Sequence, residues 1–317
     1  MTPRILKIAI IGYGVVGQRR RQYIDLHPAL KTVAICDLSF KENPKKKVND
    51  VNLYTDYKEL LESEEIDGLL VCLPNNIAQE VTIAGLKKNL HVFCEKPPGR
   101  NVQEILEVIE AERNSPQLKL MYGFNHRHHG SVIKAKELIA SGELGEIINL
   151  RGVYGKSKIV SKESKWRSKR EVSGGGILLD QGIHMLDLMR MFAGDFCEYK
   201  SFVDNSYWKY DVEDNAYALM KTKSGVIAFL NSSATQWKHR FTLEISLSKG
   251  AICLSGILSG SKSYGEEKIT ITYLNETDNE IVREEIFKYD EDNSWKDEIE
   301  YFAKAVLERS PIEQGSS

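Results

Sequence analysis

The first third of the chain alternates short apolar runs with longer amphipathic ones. "ILKIAIIG", "KTVAICD", "DGLLVCLP", "HVFCEKP" and "KLMYGFNHR" are compact and apolar, which predicts strands. "VVGQRRRQYIDLH", "YKELLESE", "AQEVTIAGLKKN" and "VQEILEVIEAERN" lie between them and repeat their apolar positions at helical spacing. Strands that alternate with helices predict a doubly wound parallel sheet with helices on both faces. Beyond "SVIKAKELIASGELG", a helix that Gly142 is placed to stop, the texture changes. "EIINLRGVYGKSK", "YALMKTKSGVIAFLNSSATQ", "FTLEISLSKGAICLSG" and "KITITYLN" alternate residue by residue and are rich in β-branched side chains. They predict a second, antiparallel or mixed sheet. "SWKDEIEYFAKAVLERSP" predicts a last helix over about 294–309. The pattern therefore divides the chain into domains at 1–122 and 123–317, with the last helix free to pack back toward the first. No internal repeat is visible.

One stretch breaks its own pattern. "LLDQGIHMLDLM", Leu178 to Met189, is apolar almost all round except for Asp180, His184 and Asp187. At about 100° per residue of α-helix, these three fall within about 60° of one another. A helix apolar on most faces is buried. Its narrow polar stripe should therefore face a partner or a cavity.

Composition adds limits. The 317 residues are 42% hydrophobic and 28% charged, which suits two globular domains. The net charge of -2 gives no general basicity for nucleic acid or a membrane surface. The lysines at 45–47 read as a solvated loop, and Lys221 and Lys223 as the solvated side of a hairpin. No apolar run approaches a membrane span, and the N-terminus lacks a signal peptide's cleavage pattern. Cys36, Cys72, Cys94, Cys197 and Cys253 form no CxxC, and three of them end apolar runs. They read as buried thiols in a reducing, cytoplasmic compartment.

Chemistry enters at the strand ends. "IAIIGYGVVGQRRR" places Gly12, Gly14 and Gly17 in G-x-G-x-x-G spacing between a strand and a helix, with Tyr13, Val15 and Val16 completing the loop. That context fits a dinucleotide pyrophosphate at the helix N-terminus. Asp37 ends the second strand and can accept from adenosine ribose hydroxyls while repelling a 2′-phosphate. NAD is therefore expected in preference to NADP. Two other strand ends are unusual: Leu73, Pro74, Asn75 and Asn76, then Glu95, Lys96 and Pro97. Lys96 is either half of a surface ion pair with Glu95, or a cation that binds a substrate hydroxyl and relays its proton.

"GYGVVG", "EKPPG" and "WRSKREVSGGGILLDQGIHMLDL" together resemble the Gfo/Idh/MocA family of glucose–fructose oxidoreductase and inositol dehydrogenase relatives. The resemblance spans nearly the whole chain in motif order. It implies an α/β protein with an N-terminal Rossmann domain and a C-terminal α/β domain built on a large open, mostly antiparallel sheet. It also implies NAD(P), hydride transfer at a secondary alcohol of a sugar, sugar derivative or sugar nucleotide, and homodimers or homotetramers formed through the open sheet. Motif matching assigns the catalytic trio to Lys96, Asp180 and His184. It places Trp166 and Arg167 near the cofactor with Leu73, Pro74, Asn76 and Glu95, and Asn125 and His126 on the substrate side. Tyr154 and Trp237 join the substrate side. Many members carry a histidine where this chain has Ala78.

The polar stripe then has a chemical reading. His184, with an ordinary pKa of about 6.5, takes the alcohol proton as hydride leaves. Asp180 holds a substrate hydroxyl or orients the imidazole, and Asp187 is a structural partner of His184. The glycines Gly174 to Gly176 let the segment approach cofactor and substrate. His126, His128 and His129 cannot converge from one turn, so no metal site is expected. Tyr207, Trp208, Tyr210 and Trp237 stack on a sugar face, or else belong to core or interface. Two rival functions stay open: a glycosidase that oxidises its sugar transiently and eliminates the aglycone, and a non-catalytic dinucleotide sensor.

Overall fold

The computed structural model describes residues 4–42, 47–159, 162–260, 262–275 and 280–313, so Lys45 and Lys46 of the lysine run lie outside the described residues. The chain forms two compact units, Met1–Phe124 together with Trp295–Ser317, and Asn125–Ser294.

The first unit runs β1 (Leu6–Ile11), α1 (Val15–Leu26), β2 (Leu30–Cys36), β3 (Lys47–Val48), β4 (Val51–Tyr54), α2 (Tyr57–Ser63), β5 (Gly68–Val71), α3 (Asn75–Lys87), β6 (His91–Glu95), α4 (Val102–Arg113) and β7 (Leu120–Gly123). The sheet order is β3-β4-β2-β1-β5-β6-β7. All pairs are parallel except β3 with β4. The strands are continuous apolar runs because both faces are covered: β5 is buried at all four residues. The order reverses between β1 and β5, which opens a crevice at their carboxyl ends. β3 and β4 are an addition to the sequence-level expectation; strands of two and four residues carry too little periodicity to register.

The second unit contains α5 (Gly130–Ser141), β8 (Ile147–Gly155), the short α6 (Arg170–Ser173), α7 (Ile183–Ala193), β9 (Phe196–Asp204), β10 (Asn215–Thr222), β11 (Ile227–Ser233), β12 (Arg240–Leu247), β13 (Gly250–Ser255), β14 (Glu267–Leu274) and β15 (Ile281–Tyr289). Its eight-stranded sheet has the order β15-β14-β13-β12-β8-β11-β10-β9, parallel only between β8 and β11. Gly142 ends α5 in the left-handed conformation, φ 71°. One sheet face packs Leu150, Tyr154, Leu230, Phe241, Leu243 and Ile245 with Met185, Leu188 and Met189 of α7. The alternating burial of β12 and β13 is the one-sided sheet the sequence announces. Cys197 corrects the reading of buried thiols: it is exposed on the edge strand β9, while Cys36 and Cys94 are buried.

The last helix, α8 (Ser294–Glu308), brings Ile299, Phe302, Ala303 and Val306 into the core of the first unit. Phe302 meets Phe93 of β6 edge to face at 5.6 Å. Among the described residues no helix is long and apolar enough to cross a membrane.

Candidate active site

In the first unit the glycine loop is fixed by close approach. A Cβ on Gly12 would stand 2.2 Å from the Cys72 carbonyl oxygen, and one on Gly17 2.0 Å from the Gly12 carbonyl oxygen. Gly12 also holds φ 91°. Around Gly14, by contrast, nothing lies within 4 Å of a built Cβ. The helix that follows has no side-chain cap and no acid in its first turn. Its first amides and positive dipole end therefore suit an anion, so the residues present fit a dinucleotide pyrophosphate.

Asp37 stands where β2 ends. Its Oδ2 accepts from the Tyr13 amide at 2.6 Å, and its Oδ1 from the Ser39 amide at 2.9 Å and hydroxyl at 2.6 Å. Partial burial works against the charge, but these bonds prevail and hold the carboxyl below its ordinary value. A carboxylate has about four acceptor positions, so capacity for a ribose hydroxyl remains. Tyr13 lies tilted on Phe40 at 6.2 Å and its hydroxyl accepts from Arg21 at 2.9 Å.

At the β6 end, Glu95 is bonded to Arg20 of α1, at 2.7 Å from Nε and 2.6 Å from Nη2. Arg20 is fully buried and also pairs with Glu298 of α8 at 2.6 Å. Burial opposes the charge of this guanidinium, but Glu298 and Glu95 outweigh it and raise its pKa above the ordinary arginine value. Its plane lies 4.2 Å from the Trp295 ring and 4.5 Å from Phe93. Lys96, directly after Glu95, is half-buried. Leu73, Pro74 and Asn76 sit where β5 hands over to α3, with Pro74 at the helix cap.

The second unit holds the stripe. The chain is not one regular helix over 178–189, as its spacing suggests. Leu178–Gly182 forms a wider π-type turn, and α7 follows it. Such turns advance less than 100° per residue and recur at functional sites. Asp180, in that turn, pairs through Oδ2 with Lys156 Nζ at 2.6 Å and through Oδ1 with Arg167 Nε at 3.2 Å. Arg167 also covers Trp166 at 4.5 Å. Lys156 escaped the sequence reading because it lies 24 residues away, at the end of β8.

Asp187 is held by Arg127, with 2.7 Å and 2.6 Å bonds to its two oxygens. This two-bonded pair makes Arg127 a structural partner of Asp187. The glycine run is closely packed at Gly176. A Cβ on Gly176 would stand 2.0 Å from the Glu213 carbonyl oxygen. Glu213 Oε1 accepts from the Gly176 amide at 2.8 Å and the Leu178 amide at 3.2 Å, so the run is packed on Glu213.

His184 is buried, and its ring stacks on His126 at 3.9 Å with 17° between planes. His126 is buried too, with Nδ1 3.2 Å from Asn125 Oδ1 and Nε2 3.1 Å from the Tyr154 hydroxyl. Tyr154 is buried against Tyr264, ring to ring at 5.3 Å, and burial pushes its phenol well above the ordinary range. His239 lies 5.1 Å from Tyr264 and bonds Ser157 at 3.1 Å; burial and Lys156 lower its pKa. Behind His126, His129 Nδ1 bonds the buried Glu267 at 2.7 Å, and Ser131 donates to the same carboxylate through its amide at 3.0 Å and hydroxyl at 2.8 Å. Burial opposes the Glu267 charge, but these donors prevail and lower its pKa.

Trp237 is 60% exposed, with its ring 5.0 Å from Tyr207 and 6.4 Å from Trp208. Trp208 itself is anchored by a 2.8 Å bond to the Ala234 carbonyl and stacks on Tyr210.

Residues 6–124 match the model of the oxidoreductase family's NAD-binding Rossmann fold, and residues 132–253 match the GFO/IDH/MocA C-terminal domain. The chain is 30% identical over 260 residues to D-glucoside 3-dehydrogenase of Escherichia coli K12, covering 74% of this chain and 71% of that protein. It is 29% identical to myo-inositol 2-dehydrogenase of Thermotoga maritima, over 78% of this chain and 74% of the relative. The solved structure of levoglucosan dehydrogenase with NADH and levoglucosan superposes with a TM-score of 0.84 at 18% identity, covering 99% of this chain and 92% of that one. The chain belongs to the GFO/IDH/MocA oxidoreductase family, and its first unit is an NAD(P)-binding Rossmann domain.

Proposed function

We propose that this protein is an NAD-preferring dehydrogenase acting on a secondary ring alcohol of a sugar, sugar derivative or sugar nucleotide. The observation that carries the reading is the half-buried Lys156–Asp180–Arg167 cluster and the His126–His184 stack, in a chain whose first unit carries the dinucleotide loop. The relatives named for dehydrogenation of a D-glucoside at position 3 and of myo-inositol at position 2 support a ring alcohol as substrate.

A bound nicotinamide dinucleotide supplies the hydride acceptor. The chain's own groups handle the rest. His184 receives the proton of the reacting hydroxyl; an imidazole suits reversible transfer near neutral pH. Lys96 supplies a cation that favours the alkoxide form of a substrate hydroxyl. Asp180, its charge balanced by Lys156 and Arg167, accepts from a neighbouring substrate hydroxyl and sets the ring's orientation. Asp37 favours NAD, because a 2′-phosphate brought to its carboxylate would be repelled. The five free thiols suit a cytoplasmic, reducing setting.

The bare face of the second sheet is proposed as the contact between copies in a homodimer or homotetramer. Register puts Phe202 beside Tyr217, and Leu219 beside Phe229, on that face. Phe202, Tyr217, Leu219 and Ile227 are exposed there, as is Ile286 across the sheet.

The decisive experiment offers the protein with NAD a panel of glycosides, cyclitols and UDP-, GDP- and CMP-sugars and follows NADH formation. Net NADH from a ring alcohol, abolished in His184→Ala, supports the reading. Turnover of a glycoside with no net NADH would favour the glycosidase. NADH binding with no turnover of any sugar would favour the sensor. Parallel titration should show NADH bound more tightly than NADPH, with the gap narrowed in Asp37→Ala; tighter NADPH binding would refute the cofactor preference.

A further inference from the structure

The hydrogen bonds around His126 have a direction, and one carboxylate sets it. The Ser294 hydroxyl donates to Asp292 Oδ1 at 2.6 Å, and a carboxylate can only accept. The Ser294 oxygen is thereby left to accept from the Asn125 amide nitrogen at 3.0 Å. That orients the Asn125 side chain, so its carbonyl oxygen is the atom 3.2 Å from His126 Nδ1. A carbonyl only accepts, so Nδ1 carries a hydrogen. In a neutral ring Nε2 is then a lone pair, and it accepts from the Tyr154 hydroxyl at 3.1 Å. Four bonds in succession, from Tyr154 through His126, Asn125 and Ser294, all donate toward Asp292. No local sequence signal reports this, because Asp292 and Ser294 lie some 170 residues from Asn125.

From this chain we infer that His126 is held as the neutral Nδ1–H tautomer and serves as a positioning residue for His184, not as a substrate contact. Its ring plane is set at both nitrogens, and the His184 imidazole lies flat on it at 3.9 Å. An uncharged aromatic face is a favourable bed for an imidazolium, whereas a second charge at that separation would repel it. The other rings on His126 suit the same state. Phe241 of β12 lies at 5.9 Å and His129 edge-on at 5.5 Å, with His129 directed to the buried Glu267. Tyr154 approaches from β8, backed by Tyr264. On the His184 side, the charged groups of the same unit are already matched: Asp180 by Lys156 and Arg167, and Asp187 by Arg127. His126 can therefore stay neutral while His184 gains and loses the proton. This inference rests on the proposed role of His184, and its test separates the two.

The first measurement needs no substrate. In the full-length protein with ¹⁵N-labelled histidine at about pH 8, where an ordinary histidine is neutral, the His126 signals, assigned by their loss in His126→Phe, should show the Nδ1–H tautomer. Asp292→Asn replaces the fixed acceptor by a group that can also donate, so the His126 signals should move toward a mixture of tautomers. Observation of an imidazolium or of the Nε2–H tautomer in the unmodified protein would overturn the inference. So would an unchanged tautomer in Asp292→Asn.

The second measurement uses a substrate found as above. His126→Ala removes the bed and should lower kcat by about 10²-fold, the scale set by misplacing a reacting group, with KM little changed. His126→Phe keeps a flat ring there and should restore most of that loss. Equal rises in KM for both variants would mark a substrate contact and overturn the positioning role. If His184→Ala itself keeps normal turnover, the proposed function fails, and the tautomer measurement still decides the state of His126.

Discussion

At the scale of single residues, the second unit places charged groups where only their partners make burial tolerable. Glu267 is wholly buried and is stabilised as a carboxylate by His129 and Ser131. Its pKa is depressed, so its contribution is fully present above the ordinary glutamate value of about 4.3 and is lost as pH falls through the lower folded value. Glu267→Gln should therefore cost about 2–3 kcal/mol at neutral pH and show a smaller loss of stability on acidification than the parent. Urea unfolding at neutral and acidic pH measures both; a variant with the parent's pH dependence would refute the assignment. The catalytic reading is tested at the same scale. Lys96→Ala and His184→Ala should each lower turnover by about 10²-fold or more. The double variant should be scarcely worse than the worse single, because groups acting in one step are not additive. Additive losses would mean that the two act in separate steps.

At the scale of elements, α8 shows how a distant segment of chain completes a core. Its Ile299, Phe302, Ala303 and Val306 repeat at i, i+3, i+4 and i+7 and fill the face that β1 and β6 present. Phe302→Ala should cost about 3–5 kcal/mol, since the cavity would be bounded by strands that cannot collapse into it. Thermal unfolding of the variant checks this, and a loss below about 1 kcal/mol would place α8 outside the cooperative unit. The same helix supplies Glu298 and Trp295 to the buried Arg20, so α8 also braces the strand end that carries Lys96. The π-type turn at 178–182 is the other element of note. It places Asp180 beside Lys156 and Arg167, while α7 keeps His184 on His126.

At the scale of the whole molecule, the proposed contact between copies is the exposed apolar face of the second sheet. Leu219→Lys or Phe202→Glu introduces a charge where a second copy would seat its apolar face. Either change should shift the particle toward a monomer in sedimentation or light scattering, with the fold intact by circular dichroism. An unaltered association state would exclude this face as the contact. The edges also show where pattern reading stops. β9 and β15 were not expected from the sequence. β9 is exposed at eight of its nine residues, and β15 at all but two of its nine, so neither had to alternate.

The sequence by itself determined the two-unit α/β architecture, the dinucleotide loop, Asp37 at the second strand end and the residue types of the polar stripe. Each of these shows in a short stretch of chain: a strand buried on both faces must be apolar throughout, and the glycine spacing between a strand and a helix marks the loop. Only the tertiary structure decided the partners. Asp180 with Lys156, Asp187 with Arg127, Gly176 with Glu213, Arg20 with Glu298 and His126 with Tyr154 join residues 24 to nearly 280 positions apart. A buried charge must be matched, but the sequence does not say by which of many residues. The match is made by whichever side chains the folded strands and helices bring within bonding distance, and the same is true of the direction that Asp292 gives to the bonds around His126.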